Sequence, residues 1–222
     1  MIKYTKYILT GICVFGAADV LADSSPKYRS MLGEDYVFVE IGTTIFDEVP
    51  FDSREVSFRA ATGANLGVIS HFDVGFMFSH ERVDATIFDE KWDIRDNTIV
   101  VMGKVYGTLS EHIRPYLTVG VGGVHSEVIV EGEKFTDTTY VYGGGGGFEI
   151  QMFPSTVLDL SVIWNDRGEF EDSGFEIPEF QRITTNLKAT QFFNDHLSGS
   201  LRMAYGNELN DTTFGAAMNI HF

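Results

Sequence analysis

The last nine residues, Phe214 to Phe222, place an apolar side chain at every second position and stop on an aromatic ring. A period of two describes a β-strand with one oily face and one polar face. The same alternation runs back to Tyr36 in ten strand-like runs: 36–46, 55–69, 72–83, 97–109, 114–127, 139–152, 156–166, 180–193, 196–206 and 212–222. Most are close to the roughly 10 residues that a tilted strand needs to cross a bilayer. The simplest solvent for so many oily faces is lipid, and the simplest sheet without open edges is a closed barrel.

The connections fall into two classes. Ser70-His71, Ser110-Glu111-His112, Pro154-Ser155 and Asn194-Asp195 read as tight turns. The stretches 47–54, 84–96, 128–138 and 167–179 read as longer polar loops, with a brief one at 207–211. Short turns on one rim and long loops on the other predict an all-β, closed, antiparallel, up-and-down transmembrane β-barrel of ten strands, with eight as the alternative. An even strand number puts both chain ends on the short-turn rim.

Charge placement tests which face meets lipid. In 55–69, Phe58, Ala60, Ala64, Leu66 and Val68 share a face opposite Arg59 and Asn65. Ile99, Val101 and Val105 oppose Lys104 and Tyr106, while Leu158, Leu160, Val162 and Trp164 oppose Asp159 and Ser161. Leu187 opposes Arg182, Asn186 and Lys188, and Leu201 and Met203 oppose Arg202. A lipid-facing Arg or Lys costs about 2–4 kcal/mol at mid-bilayer. Glu40, Arg59, Lys104, Glu149, Asp159, Arg182, Lys188 and Arg202 are therefore expected to point inward and to pair across a filled lumen.

The N-terminus reads as an export signal over 1–22. Lys3 and Lys6 precede an apolar run, and Val20-Leu21-Ala22 supplies a small-residue cleavage site before Asp23. A polar periplasmic arm is expected over 23–35, and the barrel over 36–222. The one cysteine, Cys13, lies within the signal, so the exported chain is expected to have no disulfide. The net charge of −16 argues against nucleic acid as a partner.

Arg114-Pro115-Tyr116-Leu117 running into Gly120–Gly123, the glycine-rich stretch Tyr140–Phe148, and the terminal run to Phe222 resemble the small outer-membrane barrels of the OmpA/OmpX-like superfamily. The resemblance covers 36–222 and specifies architecture rather than activity. It implies a Gram-negative outer-membrane location with both termini periplasmic, a monomer surrounded by outer-membrane lipid, and handling by the barrel-assembly machinery through the closing strand and Phe222. Ten strands rather than eight is a departure from the best-known members.

Few patterns suggest chemistry. The acidic stretches, densest over 166–172, match no EF-hand spacing, so no metal site is assigned. His71, His112 and His196 fall at tight turns and His221 lies near the same rim; they belong to different hairpins and read as polar turn residues. His80 with Asp84 and His125 with Glu127 lie near the long-loop rim without forming an Asp-His pair, and no His-Ser-Asn pattern of a lipid A deacylase is visible. Gly143–Gly147 lacks the Lys-Ser/Thr of a phosphate loop and reads as a bend in a strand. No catalytic residue and no cofactor is assigned. The leading role is structural or surface-interacting, with a narrow porin-like channel as first alternative and a surface hydrolase as second.

Overall fold

A computed structural model describes residues 29–46, 55–87, 89–172, 175–177, 180–207 and 210–222. The segment 1–22 and the loop 47–54 lie outside the described residues. The elements are β1 (Tyr36–Phe46), β2 (Glu55–Ile69), β3 (Phe72–Ile87), β4 (Glu90–Tyr106), β5 (Ile113–Val130), β6 (Glu133–Phe153), β7 (Thr156–Arg167), β8 (Phe170–Asp172), β9 (Phe175–Ile177), β10 (Phe180–Phe192), β11 (Leu197–Gly206) and β12 (Asp211–His221). Ten of these close into a barrel, β1-β12-β11-β10-β7-β6-β5-β4-β3-β2, and β8 and β9 pair as a separate hairpin. The barrel pairs are antiparallel, and β1 closes on β12 with Tyr36 opposite His221, so the start of β1 and the end of β12 lie on one rim. We call this the terminal rim.

One row of paired residues, followed around the wall, leaves β5 at Ser126 and returns at Arg114, twelve residues along the same strand. With ten strands, that stagger fixes a tilt of about 40° and a backbone radius of about 10 Å.

The outward face between the rims is apolar. Ile41 (66% exposed), Val101, Leu117, Val121, Leu160, Leu201 and Ile220 all point away from the lumen. Tyr142 lies edge-on to Trp164 at 5.6 Å and stacks on Tyr140 at 5.8 Å, forming part of an aromatic belt. On the glycine run of β6, a Cβ added at Gly145 would lie 2.2 Å from the carbonyl oxygen of Val162, so this wall of the barrel requires glycine to bring its backbones together.

The expected loops at 84–96 and 128–138 are a correction. They are strand almost to their tips: β3 and β4 run to Ile87 and Glu90, and β5 and β6 to Val130 and Glu133. The turns sit at Asp89 (φ 65°) and at Glu131 (φ 51°) with Gly132 (φ 91°). Alternation continues through both stretches with its sense reversed. Outward positions become Arg82, Asp84, Asp93, Arg95 and Glu127. Inward positions become Val83, Ala85, Ile87, Ile94 and Val128, most of them buried. Phe46, Val83, Ala85 and Ile87 pack as one cluster, with Trp92 and Ile94 against it. Beyond the bilayer the solvent outside is water, so the apolar residues turn in.

Candidate functional site: the lumen and its two mouths

All eight charged residues expected inside the barrel point inward. Five of them lie on one continuous row along the strand pairing. Arg59 is followed by Gly42, Gly215, Arg202, Lys188, Asp159, Glu149 and Arg114, and on the other side by Glu81 and Asp96. The row descends as a staircase because every strand is tilted. Its two glycines leave room for long neighbours: a Cβ at Gly215 would lie 3.3 Å from Glu40 Oε1.

The pairs reach across the strands rather than along them. Glu40 on β1 lies 3.9 Å from Arg59 Nη1 on β2 and 3.7 Å from Arg202 Nη2 on β11. Arg182 on β10 donates to Asp211 on β12, which is fully buried. Arg167 on β7 donates to Asp96 on β4 at 2.8 Å, and Ser126 Oγ donates to the same carboxylate at 2.6 Å. Tyr116 on β5 donates its hydroxyl to Asp159 on β7 at 2.8 Å while Lys104 Nζ sits 4.8 Å from the centre of its ring. The wall of a lumen about 10 Å in backbone radius is thus lined by charged and polar groups paired between strands one to three places apart.

The terminal mouth is crossed by residues 29–35, the described part of the expected arm. Met31 and Leu32 are buried, and Met31 joins Tyr36, Val157 and Phe192 in an apolar cluster. Two inward carboxylates receive the segment. Glu149 accepts the Met31 N–H at 2.9 Å and the Ser30 hydroxyl, and Asp73 accepts the Gly33 N–H at 3.0 Å. Gly33 has φ 81°, and a Cβ there would lie 2.5 Å from the Tyr106 hydroxyl, so the turn needs glycine twice over. Asn65 donates to the Glu34 carbonyl at 2.9 Å, Asp35 accepts from the Gly67 N–H at 2.7 Å, and the Phe222 N–H reaches the Asp35 carbonyl at 3.2 Å. Arg29 pairs with Asp195 and lies 5.2 Å from the centre of the Phe192 ring. The segment therefore touches β2, β3, β6, β12 and the β10–β11 turn before entering β1, and we call it the strap. Its composition gave no sign of this, because both receptors lie far away in sequence.

The sequence reading separated His196 from His221, but the structure makes them neighbours: the His221 N–H donates to the His196 carbonyl at 2.9 Å. A Ser-His-Asn constellation also forms here that the sequence reading missed. His221 Nε2 is 2.9 Å from Ser198 Oγ, Asn219 Nδ2 donates to Ser198 Oγ at 2.9 Å, and Glu34 Oε2 is 3.9 Å from His221 Nδ1. Register across β11 and β12 creates it by placing Ser198 opposite Asn219. Ser198 is 0% exposed, and the rings of Tyr36 and Phe192 lie 5.6 and 5.2 Å from that of His221, so as packed the serine acts as a polar tie. Elsewhere His80 pairs with Asn97 at 3.0 Å and His125 with Thr138 at 2.9 Å, and neither meets a carboxylate. Among the described residues no cluster of three His, Cys, Asp or Glu is placed to hold a metal ion.

A closed antiparallel barrel with an apolar belt outside and ion pairs inside has the fold of the outer-membrane β-barrel proteins. No protein-family model matches the chain, and no curated protein matches it in sequence. Solved structures share its architecture. The β-domain of the Bordetella autotransporter BrkA aligns with a TM-score of 0.54 at 9% identity, covering 85% of this chain and 100% of that one. Neisserial surface protein A aligns at 0.44 and 13% identity, covering 85% of this chain and 97% of that one. The attachment invasion locus protein Ail of Yersinia pestis aligns at 0.38 and 12%, covering 86% and 98%. The BrkA alignment shows a barrel fold in common.

Proposed function

We propose that this protein is a sealed outer-membrane barrel that displays the extended hairpins β3–β4 and β5–β6 as a surface-interaction platform, with its strap and both termini on the periplasmic side. The observation that carries the reading is the obstruction of the lumen: the strap lies across one mouth, and the Glu40, Arg59 and Arg202 group projects into the interior behind it. A barrel built to conduct would leave a hydrated path between these groups. No residue in this role performs a reaction. Phe222, 70% exposed on the lipid side at the end of the chain, is the point at which the barrel-assembly machinery would engage β12.

Planar-bilayer recording tests the seal. The purified chain is expected to insert without giving unitary currents. Steady unitary currents from the unaltered chain would overturn the reading in favour of the narrow channel.

A further inference from the structure

Two walls of the lumen differ in what they send inward. Lys188 on β10 and Arg202 on β11 are directly opposite each other across the strand pair, an arrangement that like charges resist. Among the described residues Lys188 makes no hydrogen bond or ion pair, and the one such contact of Arg202 is Glu40 Oε1 at 3.7 Å, beyond hydrogen-bonding reach. Arg202 Nε is buried without a partner. Arg59 approaches the same oxygen of Glu40 at 3.9 Å and directs a donor to the sulfur of Met77 at 3.4 Å, a weak acceptor.

The neighbouring carboxylates are engaged by other groups. Asp159, opposite Lys188, accepts the Tyr116 hydroxyl at 2.8 Å. Glu81, opposite Arg59, accepts the Ser57 hydroxyl at 2.5 Å and that of Thr44 at 3.3 Å. Asp211 takes the donor of Arg182. Formal charge on this side of the lumen is matched, but hydrogen bonding is not. Among the described residues none of Arg59, Lys188 and Arg202 donates a hydrogen bond to a carboxylate.

The facing wall is a second, independent observation. A stagger of twelve residues over ten strands is about 1.2 residues per strand. The inward positions level with Arg202 on the opposite strands are therefore Met102 on β4, Gly120 on β5 and Gly145 on β6. Gly120 and Gly122 on β5, and Gly143, Gly145 and Gly147 on β6, all face inward, and none of them is buried. A strip of bare backbone thus lies across the lumen from the unsatisfied cations, and Arg202 keeps 23% of its side-chain surface uncovered. The strap lies across the terminal mouth, which leaves a blind chamber reached from the other rim.

We propose that Arg59, Lys188 and Arg202 form a site for a small oxyanion inside the lumen, in the space that the glycine strip of β5 and β6 leaves open. Two guanidinium forks and an ammonium supply charge-assisted donors, which several acceptor oxygens on one centre meet together. The same ion relieves the like-charge contact between Lys188 and Arg202. Glu40 flanks the site and holds the two guanidiniums near each other. This site goes beyond the surface-platform reading and assigns the inner face a ligand of its own.

The test is isothermal titration of the full chain in non-ionic detergent with inorganic phosphate at constant ionic strength and, in parallel, with chloride. The chain is expected to bind phosphate, and to hold chloride about tenfold less tightly. The variant K188Q/R202Q is expected to lose about tenfold in phosphate affinity, whereas Gln181→Ala, outward on β10, leaves it unchanged. Asn186→Asp, two residues from Lys188 on the same inward face, supplies an acceptor from the chain itself. It is expected to weaken phosphate binding about tenfold while raising the urea midpoint. Absence of phosphate binding, equal binding of chloride, or unchanged phosphate affinity in folded K188Q/R202Q would overturn the site. If the double variant does not fold, Asn186→Asp keeps every cation and decides alone, and unchanged affinity there defeats the proposal. Conductance is a separate readout, so failure here leaves the sealed-lumen reading standing, and currents in bilayers leave this titration to decide the site.

Discussion

Strand β4 passes through two solvents and changes its pattern between them. Near the terminal rim Val105, Val101 and Ile99 face outward while Lys104 faces the lumen. Near the tip Asp93 and Arg95 face outward, while Trp92 and Ile94 pack inward against Val83 and Ile87. β3 and β5 reverse in the same way. One backbone geometry thus serves as a membrane wall below and as the wall of a soluble barrel above. The lesson is that alternation specifies a strand, whereas the sense of the alternation reports what lies outside it.

The comparison can be broken by moving one charge between the regions. Val101→Arg places a guanidinium on the lipid face and is expected to cost up to about 4 kcal/mol. Ile129→Arg, outward on β5 beside Asp93, is expected to change stability by less than about 0.5 kcal/mol. Urea titration of both variants folded into vesicles measures the difference, and equal costs would place both residues in one solvent.

The inner face sharpens the same contrast with smaller effects. Glu40→Ala leaves Arg59 and Arg202 without their shared carboxylate, with an expected loss of about 3 kcal/mol by the same titration. A loss below about 1 kcal/mol would mean that lumen water already screens these groups. Val128→Asn puts an amide into the apolar interior of the extension and is expected to cost about 1–3 kcal/mol. Thr118→Asn, inward on the same strand within the polar lumen, is expected to be nearly neutral.

The smallest effect belongs to the outer ion pairs. Lys134, more than half exposed, pairs with Glu127, which also accepts from Arg95 at 3.1 Å. Lys134→Ala is expected to cost under about 1 kcal/mol, and less as salt is raised. A large, salt-independent loss would show that the extension wall is not freely hydrated.

The sequence reading located the strands of the band closely. β1 and β2 fall at the expected 36–46 and 55–69, and the eight charged residues from Glu40 to Arg202 point where charge placement had put them. It failed where it demanded apolar residues outward. At 84–96 and 128–138 charged residues take the outward positions, and a reading tuned to lipid stopped there, although the alternation did not. A test for reversed alternation, with Val83, Ala85 and Ile87 opposed to Arg82, Asp84 and Thr86, was available in the same residues.

The sequence by itself determined that this chain forms amphipathic strands and that their charged members point inward, because a period of two and the cost of a charge in lipid are local facts. Only the tertiary structure decided which groups meet. The Tyr116–Asp159 bond joins residues 43 positions apart, Met31 reaches Glu149 across 118, and Ser198 meets His221 across 23. Those meetings follow from strand number and stagger, which arise when β1 closes on β12, and no single strand contains either quantity.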